Sequence, residues 1–142
     1  MLVSALMSTE VVTVPESASL HHAVSKLLDH DVGSVVVTGD GGHPVGIVTE
    51  SDALWAAHAT GDPLDEICVS DRSHRPVVTT EPSATVEGLA RTMADESVKK
   101  VPVMDDLDLV GMVTLTDVVW HLSDLRRQAT GYGEAFSRWD PE

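Results

Sequence analysis

Gly46-Ile47-Val48-Thr49-Glu50-Ser51-Asp52 returns 65 residues further on as Gly111-Met112-Val113-Thr114-Leu115-Thr116-Asp117, and this recurrence decides how the 142-residue chain is read. In each copy a short apolar run ends at a threonine, and an acid follows three residues later. Thr-x-x-Asp is a helix-opening pattern, because the hydroxyl satisfies an orphan N–H of the first turn and the acid suits the positive end of the helix. The recurrence extends upstream. Residues 11–40 align without a gap on 77–106, with identities at Val11/Val77, Val12/Val78, Thr13/Thr79, Ser17/Ser83, Ala18/Ala84, Asp29/Asp95, Val32/Val98, Val35/Val101, Val37/Val103 and Asp40/Asp106. After a one-residue deletion, residues 45–55 continue onto 110–120 with six more identities, among them Trp55/Trp120. A doubled unit of this length is the signature of a tandem-repeat architecture.

Each repeat has the same local grammar. A β-rich segment, Val11-Val12-Thr13-Val14 or Val77-Val78-Thr79-Thr80, lies beside a proline, Pro15 or Pro82. Apolar residues at helical spacing follow: Leu20, Ala23, Val24, Leu27 and Leu28, then Val86, Leu89, Ala90, Met93 and Ala94. Two apolar runs around a Gly/Asp turn then predict a hairpin, Val35–Val37 with Val45–Val48 and Val101–Met104 with Val110–Val113. A second helix opens near Asp52 or Asp117. The fold class is therefore α/β (α+β), two pseudo-symmetric β-α-β-β-α repeats packed as one module. Expected boundaries are 1–66 for repeat 1, 67–125 for repeat 2 and 126–142 for a C-terminal tail.

Composition narrows the function. The 23 acids and 9 Lys/Arg give a net charge of −14, which opposes the phosphate neutralisation that nucleic-acid binding requires. Aspartate outnumbers glutamate 14 to 9 and only three lysines occur, a balance that looks like the proteins of salt-accumulating halophiles. No apolar run is long enough for a membrane span, and Met1-Leu2-Val3-Ser4 lacks the basic start of a secretory signal, so the expected location is the cytoplasm. One cysteine, Cys68, excludes an internal disulfide framework and has no base partner in the sequence. Adjacent helical residues diverge by about 100°, so His21 and His22 are poorly placed to share a metal ion, and no metal site is expected. Catalysis finds no motif either, and the repeats use up the chain; an enzyme is not expected.

The Thr-x-x-Asp junctions admit two readings. Capping alone accounts for the threonine and the acid. The same free N–H groups and hydroxyl can also hold a phosphate, while a carboxylate nearby accepts hydrogen bonds from a ribose diol. The glycine three residues before each threonine permits close approach of another backbone or of a flat base.

These residues resemble the tandem cystathionine β-synthase-type (CBS) domains, over roughly residues 5–125, with Gly-h-h-Thr-x-x-Asp (h apolar) as the most specific shared feature. The resemblance implies a regulatory sensor of adenosine ligands, AMP, ADP, ATP or S-adenosylmethionine, bound in clefts between the repeats, with magnesium entering only alongside ligand phosphates. It implies one cleft with Thr49 toward phosphate or ribose, Asp52 toward the ribose hydroxyls, and walls from Ile47, Val78, Lys99 and Lys100. The other would use Thr114, Asp117, Met112, Val12, Gly33 and Ser34. The match departs at Val36, where the second repeat has Pro102.

Residues 1–70 carry a net charge of −9 and residues 71–142 one of −5. If the clefts cross in this way, Lys99, Lys100 and Arg72 or Arg75 surround Thr49 and Asp52, and that cleft is expected to favour phosphorylated ligands. The family resemblance also implies a homodimer, with Leu54, Trp55 and Trp120 near its interface. Tyr132, Phe136 and Trp139 form one stripe in the tail at helical spacing. The expectation is a stand-alone regulatory module that signals to an effector protein; the alternative is an interaction subunit whose clefts are vestigial and whose Thr-x-x-Asp motifs only cap helices.

Overall fold

The computed structural model describes residues 1–73 and 77–130, with side chains through residue 123. The aromatic stripe of the tail and Arg75 lie outside the described residues. Among the described residues nine principal elements follow one another: β1 (Thr13–Pro15), α1 (Leu20–His30), β2 (Ser34–Thr38), β3 (Pro44–Thr49), α2 (Glu50–Thr60), α3 (Val86–Glu96), β4 (Lys100–Asp105), β5 (Asp108–Thr114) and α4 (Leu115–Thr130). Short 3-10 turns connect some of them. The mixed α+β architecture with two similar repeats is thus present. None of the described helices is long and apolar enough to cross a membrane.

The described residues divide into two compact units, 10–73 and 77 with 106–110, and 1–9 with 78–105 and 111–130. In the first, β1 runs parallel to β2 and β2 antiparallel to β3, with Thr13 opposite Val36, Ser34 opposite Thr49 and Val36 opposite Ile47. Val35, Val37 and Val48 point to the helix side, where they join Val14, Leu20, Ala23, Leu27 and Ala56 in the core. The strand alternation turns Ser34, Val36, Ile47 and Thr49 to the opposite face. Ser19 caps α1 by accepting from the His22 N–H at 3.2 Å, and Asp31 ends it in the left-handed conformation. His21, His22 and His30 are exposed.

The second unit repeats this plan with one shortened edge. Where β1 stands in the first unit, the second has a single parallel bridge between Thr80 and Val103. The reason is covalent. The Val36 N–H donates to the Val12 carbonyl at 2.9 Å, but its counterpart Pro102 has no N–H to give Val78. Two bonds hold the shortened edge, from the Thr80 N–H to the Pro102 carbonyl at 3.0 Å and from the Met104 N–H to the Thr80 carbonyl at 2.8 Å.

Each unit is completed by the segment leading into the other repeat. The Leu20 N–H donates to Ile67 and the Val69 N–H to Ala18; in the second unit Val86 N–H donates to Met1 and Val3 N–H to Ala84, at 2.8–3.0 Å throughout. These four bonds correspond pairwise, so residues 1–5 are the structural counterpart of 67–71. Ser8 then pairs with Met112 through two 2.9 Å bonds. Gly111 permits that approach, since a Cβ there would lie 2.9 Å from the Ser8 carbonyl oxygen and 2.7 Å from Met7 Sδ.

Candidate functional site

At the end of β3 the chain turns directly into α2, and the turn is held by a complete capping box. The Thr49 N–H and hydroxyl donate to Asp52 Oδ2 at 2.7 and 3.0 Å, and the Asp52 N–H donates back to Thr49 Oγ1 at 3.3 Å. The β5-to-α4 junction has the same reciprocal pair, Thr114 N–H to Asp117 Oδ2 at 3.0 Å and Asp117 N–H to Thr114 Oγ1 at 3.2 Å. Capping is therefore real in both repeats, and it fixes both side chains at the mouth of a helix whose N–H groups face outward.

The entrance to the preceding strand is tied to the same place. The Glu50 N–H donates to the Gly33 carbonyl at 3.2 Å, and the Leu115 N–H to the Lys99 carbonyl at 2.7 Å. In the first unit this gathers Gly33, Ser34, Thr49 and Asp52 at one sheet end. Val12 and Ile47 flank Val36 one pleat away. In the second unit the Lys99 carbonyl and the cap place Lys99, Lys100, Thr114 and Asp117 at the corresponding end, with Met112 two residues up β5. Val78 lies two residues before the Thr80–Val103 bridge. Thr49 and Asp52 belong to one unit and Val78, Lys99 and Lys100 to the other.

Other candidates group differently. Among the described residues no cluster of three or more His, Cys, Asp or Glu could hold a metal ion. Cys68 is half-buried, with Sγ 3.4 Å from the Glu16 carbonyl and 3.1 Å from Ser70 Oγ. Leu28, Leu54 and Trp55 are 75, 73 and 69% exposed. Leu28 and Leu54 line an open apolar groove of about 420 Å³ between α1 and α2, with Val24, Leu27 and Ala53 at its walls and Asp31 and Glu50 among its lining. Sequence periodicity assigned Leu28 to the core; in the structure it lies on the solvent side of the groove. His121, at the position of Ala56, is 6% exposed and its Nε2 has no hydrogen-bond partner.

The family model for the CBS domain matches residues 3–59 and 69–124. The chain belongs to the CBS-domain family, whose paired members are regulatory modules. It is 30% identical over 111 residues to an uncharacterised protein of Methanopyrus kandleri, covering 78% of this chain and 57% of that one. A protein of Methanocaldococcus jannaschii is 30% identical over 152 residues, 99% of this chain and 36% of the relative. The chain thus spans only about a third to three-fifths of the length of these relatives.

Among solved structures, a CBS-domain-containing protein of Agrobacterium tumefaciens superposes with a TM-score of 0.75 at 30% identity, covering 86% of this chain and 99% of that one. The CBS domain pair of protein MJ0100, in complex with 5′-methylthioadenosine and S-adenosyl-L-methionine, superposes with a TM-score of 0.76 at 25% identity, covering 88 and 98%.

Proposed function

We propose that the protein is a regulatory module that binds an adenosine-containing ligand, AMP, ADP, ATP or S-adenosylmethionine, and passes the bound state to an effector protein. One observation carries the reading: strand entrance, capped threonine and aspartate meet at one sheet end in both repeats, in a chain similar to a CBS pair solved with adenosine ligands. Thr49 and Thr114, with the helix N–H groups behind them, suit phosphate or ribose oxygens; Asp52 and Asp117 suit ribose hydroxyls. Ile47, Met112, Val12, Val78, Gly33, Ser34, Lys99 and Lys100 supply the walls. No covalent step is proposed, and magnesium would arrive only with ligand phosphates.

We also propose a cytoplasmic, salt-adapted homodimer in which the exposed Leu54, Trp55 and Trp120 cover one another across the interface. Binding would act by favouring one packing of the module over another, which the effector reads. The complete capping boxes favour a second reading, an interaction subunit in which Thr49, Asp52, Thr114 and Asp117 serve helix starts alone. Thermal-shift titrations in high potassium chloride with AMP, ADP, ATP, S-adenosylmethionine and a GMP control separate the two. A dose-dependent rise for an adenosine ligand and none for GMP supports the sensor; no rise for any ligand supports the interaction subunit.

A further inference from the structure

The groove between α1 and α2 has Leu27 and Ala53 at its base, the exposed Leu28 and Leu54 beside them, and the acids Asp31 and Glu50 in its lining. The repeat frame does not require this surface. At the corresponding positions of the second repeat Leu28, Asp31, Glu50 and Leu54 become Ala94, Ser97, Leu115 and Val119, so both acids and both leucines are confined to the first. An exposed apolar groove marks a surface that a partner covers, and its acids favour a partner that brings cations. The same groove of a second copy does not answer this, because it would add two carboxylates and no cation.

One stretch of this chain has the complementary composition. Continuing from the buried Val118, apolar residues recur at alternating spacings of four and three: Leu122, Leu125, Ala129, Tyr132, Phe136 and Trp139. The stripe outruns its own repeat. Helix α2 ends at Thr60, whose counterpart is Leu125, whereas α4 continues to Thr130, and Leu122 is already 44% exposed. Residues 122–139 hold three arginines, Arg126, Arg127 and Arg138, against the two acids Asp124 and Glu134, a net +1 in a chain of −14. Tyr132, Phe136, Arg138 and Trp139 lie outside the described residues.

We propose that this carboxyl-terminal segment docks in the α1–α2 groove of a second copy, with Tyr132, Phe136 and Trp139 as anchors and Arg138 meeting the acids Asp31 and Glu50. Anchors at i, i+4 and i+7 are how an amphipathic segment fills an apolar groove. The two chains exchange their segments reciprocally, and a twofold exchange of this kind closes the assembly and leaves neither groove empty. Leu54 belongs both to the groove and to the face assigned above to the homodimer, so segment and interface are continuous. The inference rests on that homodimer reading and adds the segment that holds it.

The test uses the full chain carrying Trp55→Phe and Trp120→Phe, in which Trp139 is the one tryptophan left. Its fluorescence should lie to the blue of free tryptophan, and sedimentation equilibrium should show a dimer. Leu28→Glu alters the groove without touching Leu54, Trp55 or Trp120. Added to this chain, it should move the emission to that of free tryptophan and weaken the dimer about tenfold or more, and Arg138→Glu should act in the same direction. Circular dichroism confirms that each variant is folded, and sedimentation of the wild-type chain confirms that the two phenylalanines preserve its assembly. A dimer whose Trp139 emission is that of free tryptophan, or is unmoved by Leu28→Glu, overturns the exchange and leaves the dimer standing. A wild-type chain that sediments as a monomer overturns both.

Discussion

The strand entrances of the two repeats, Gly33–Ser34 and Lys99–Lys100, occupy one place in the topology and carry opposite chemical instructions. Both are tied by a carbonyl to the first residue of the next helix, at 3.2 Å to Glu50 and at 2.7 Å to Leu115. Backbone geometry at this point is therefore set by the repeat, while charge is set by side chains free to diverge. The same division appears one pleat away. Val36 completes a three-residue parallel strand with β1, whereas Pro102 removes the donor and leaves a single bridge. Duplication supplies two equivalent frames, and substitution at positions that the frame does not constrain makes them chemically distinct.

The comparison breaks most visibly in the cores. Leu20 and Leu89 are both buried in their own units, so Leu20→Ala and Leu89→Ala should each cost about 2–5 kcal/mol. Urea denaturation monitored separately in the two units checks this, and equal losses would mean that the two frames are equally supported.

Smaller effects sharpen the contrast at the sheet edges. Val36→Pro should cost about 1–3 kcal/mol by stranding the Val12 carbonyl, while Pro102→Val should slow amide exchange around Val78 and gain about 1 kcal/mol. Hydrogen exchange followed by mass spectrometry measures both, and equal protection of β1 and its counterpart in the wild type would contradict the account. Gly111→Ala should lose about 1–3 kcal/mol, because its Cβ would crowd Met7 and the Ser8 carbonyl. Proteolysis of the amino-terminal segment should accelerate in that variant.

His121→Leu is the mildest case. Its buried Nε2 has no partner, and Ala56 fills the same place in the first repeat. Replacement by an apolar side chain should therefore leave stability within about 1 kcal/mol of wild type or raise it. A large loss in a thermal melt would reveal a polar role for the imidazole.

Much of this is legible in the sequence. The doubled Thr-x-x-Asp gives the helix starts because capping is local: the hydroxyl and acid lie within one turn of the groups they satisfy. The first helix of each repeat shows in its 3.6-residue apolar period, and each hairpin in two apolar runs around a Gly/Asp turn. The pairing of residues 1–8 with the second repeat was not legible, since only Val3/Val69 and Ser4/Ser70 recur there and long-range strand pairing leaves little periodic trace in so short a segment. Leu28 fits the amphipathic stripe of α1, and the sequence pattern cannot tell a core face from one awaiting a partner. At the candidate site, residue types were legible and their grouping was not: Lys99 joins the start of α4 through a backbone carbonyl, which no side-chain motif encodes.

The most direct test of the central claim is a calorimetric titration of the unmodified chain with AMP, with 5′-methylthioadenosine and with GMP. An adenosine sensor predicts saturable heat from at least one of the two adenosine ligands and none from GMP. No heat from either adenosine ligand, or equal heat from GMP, would contradict the account.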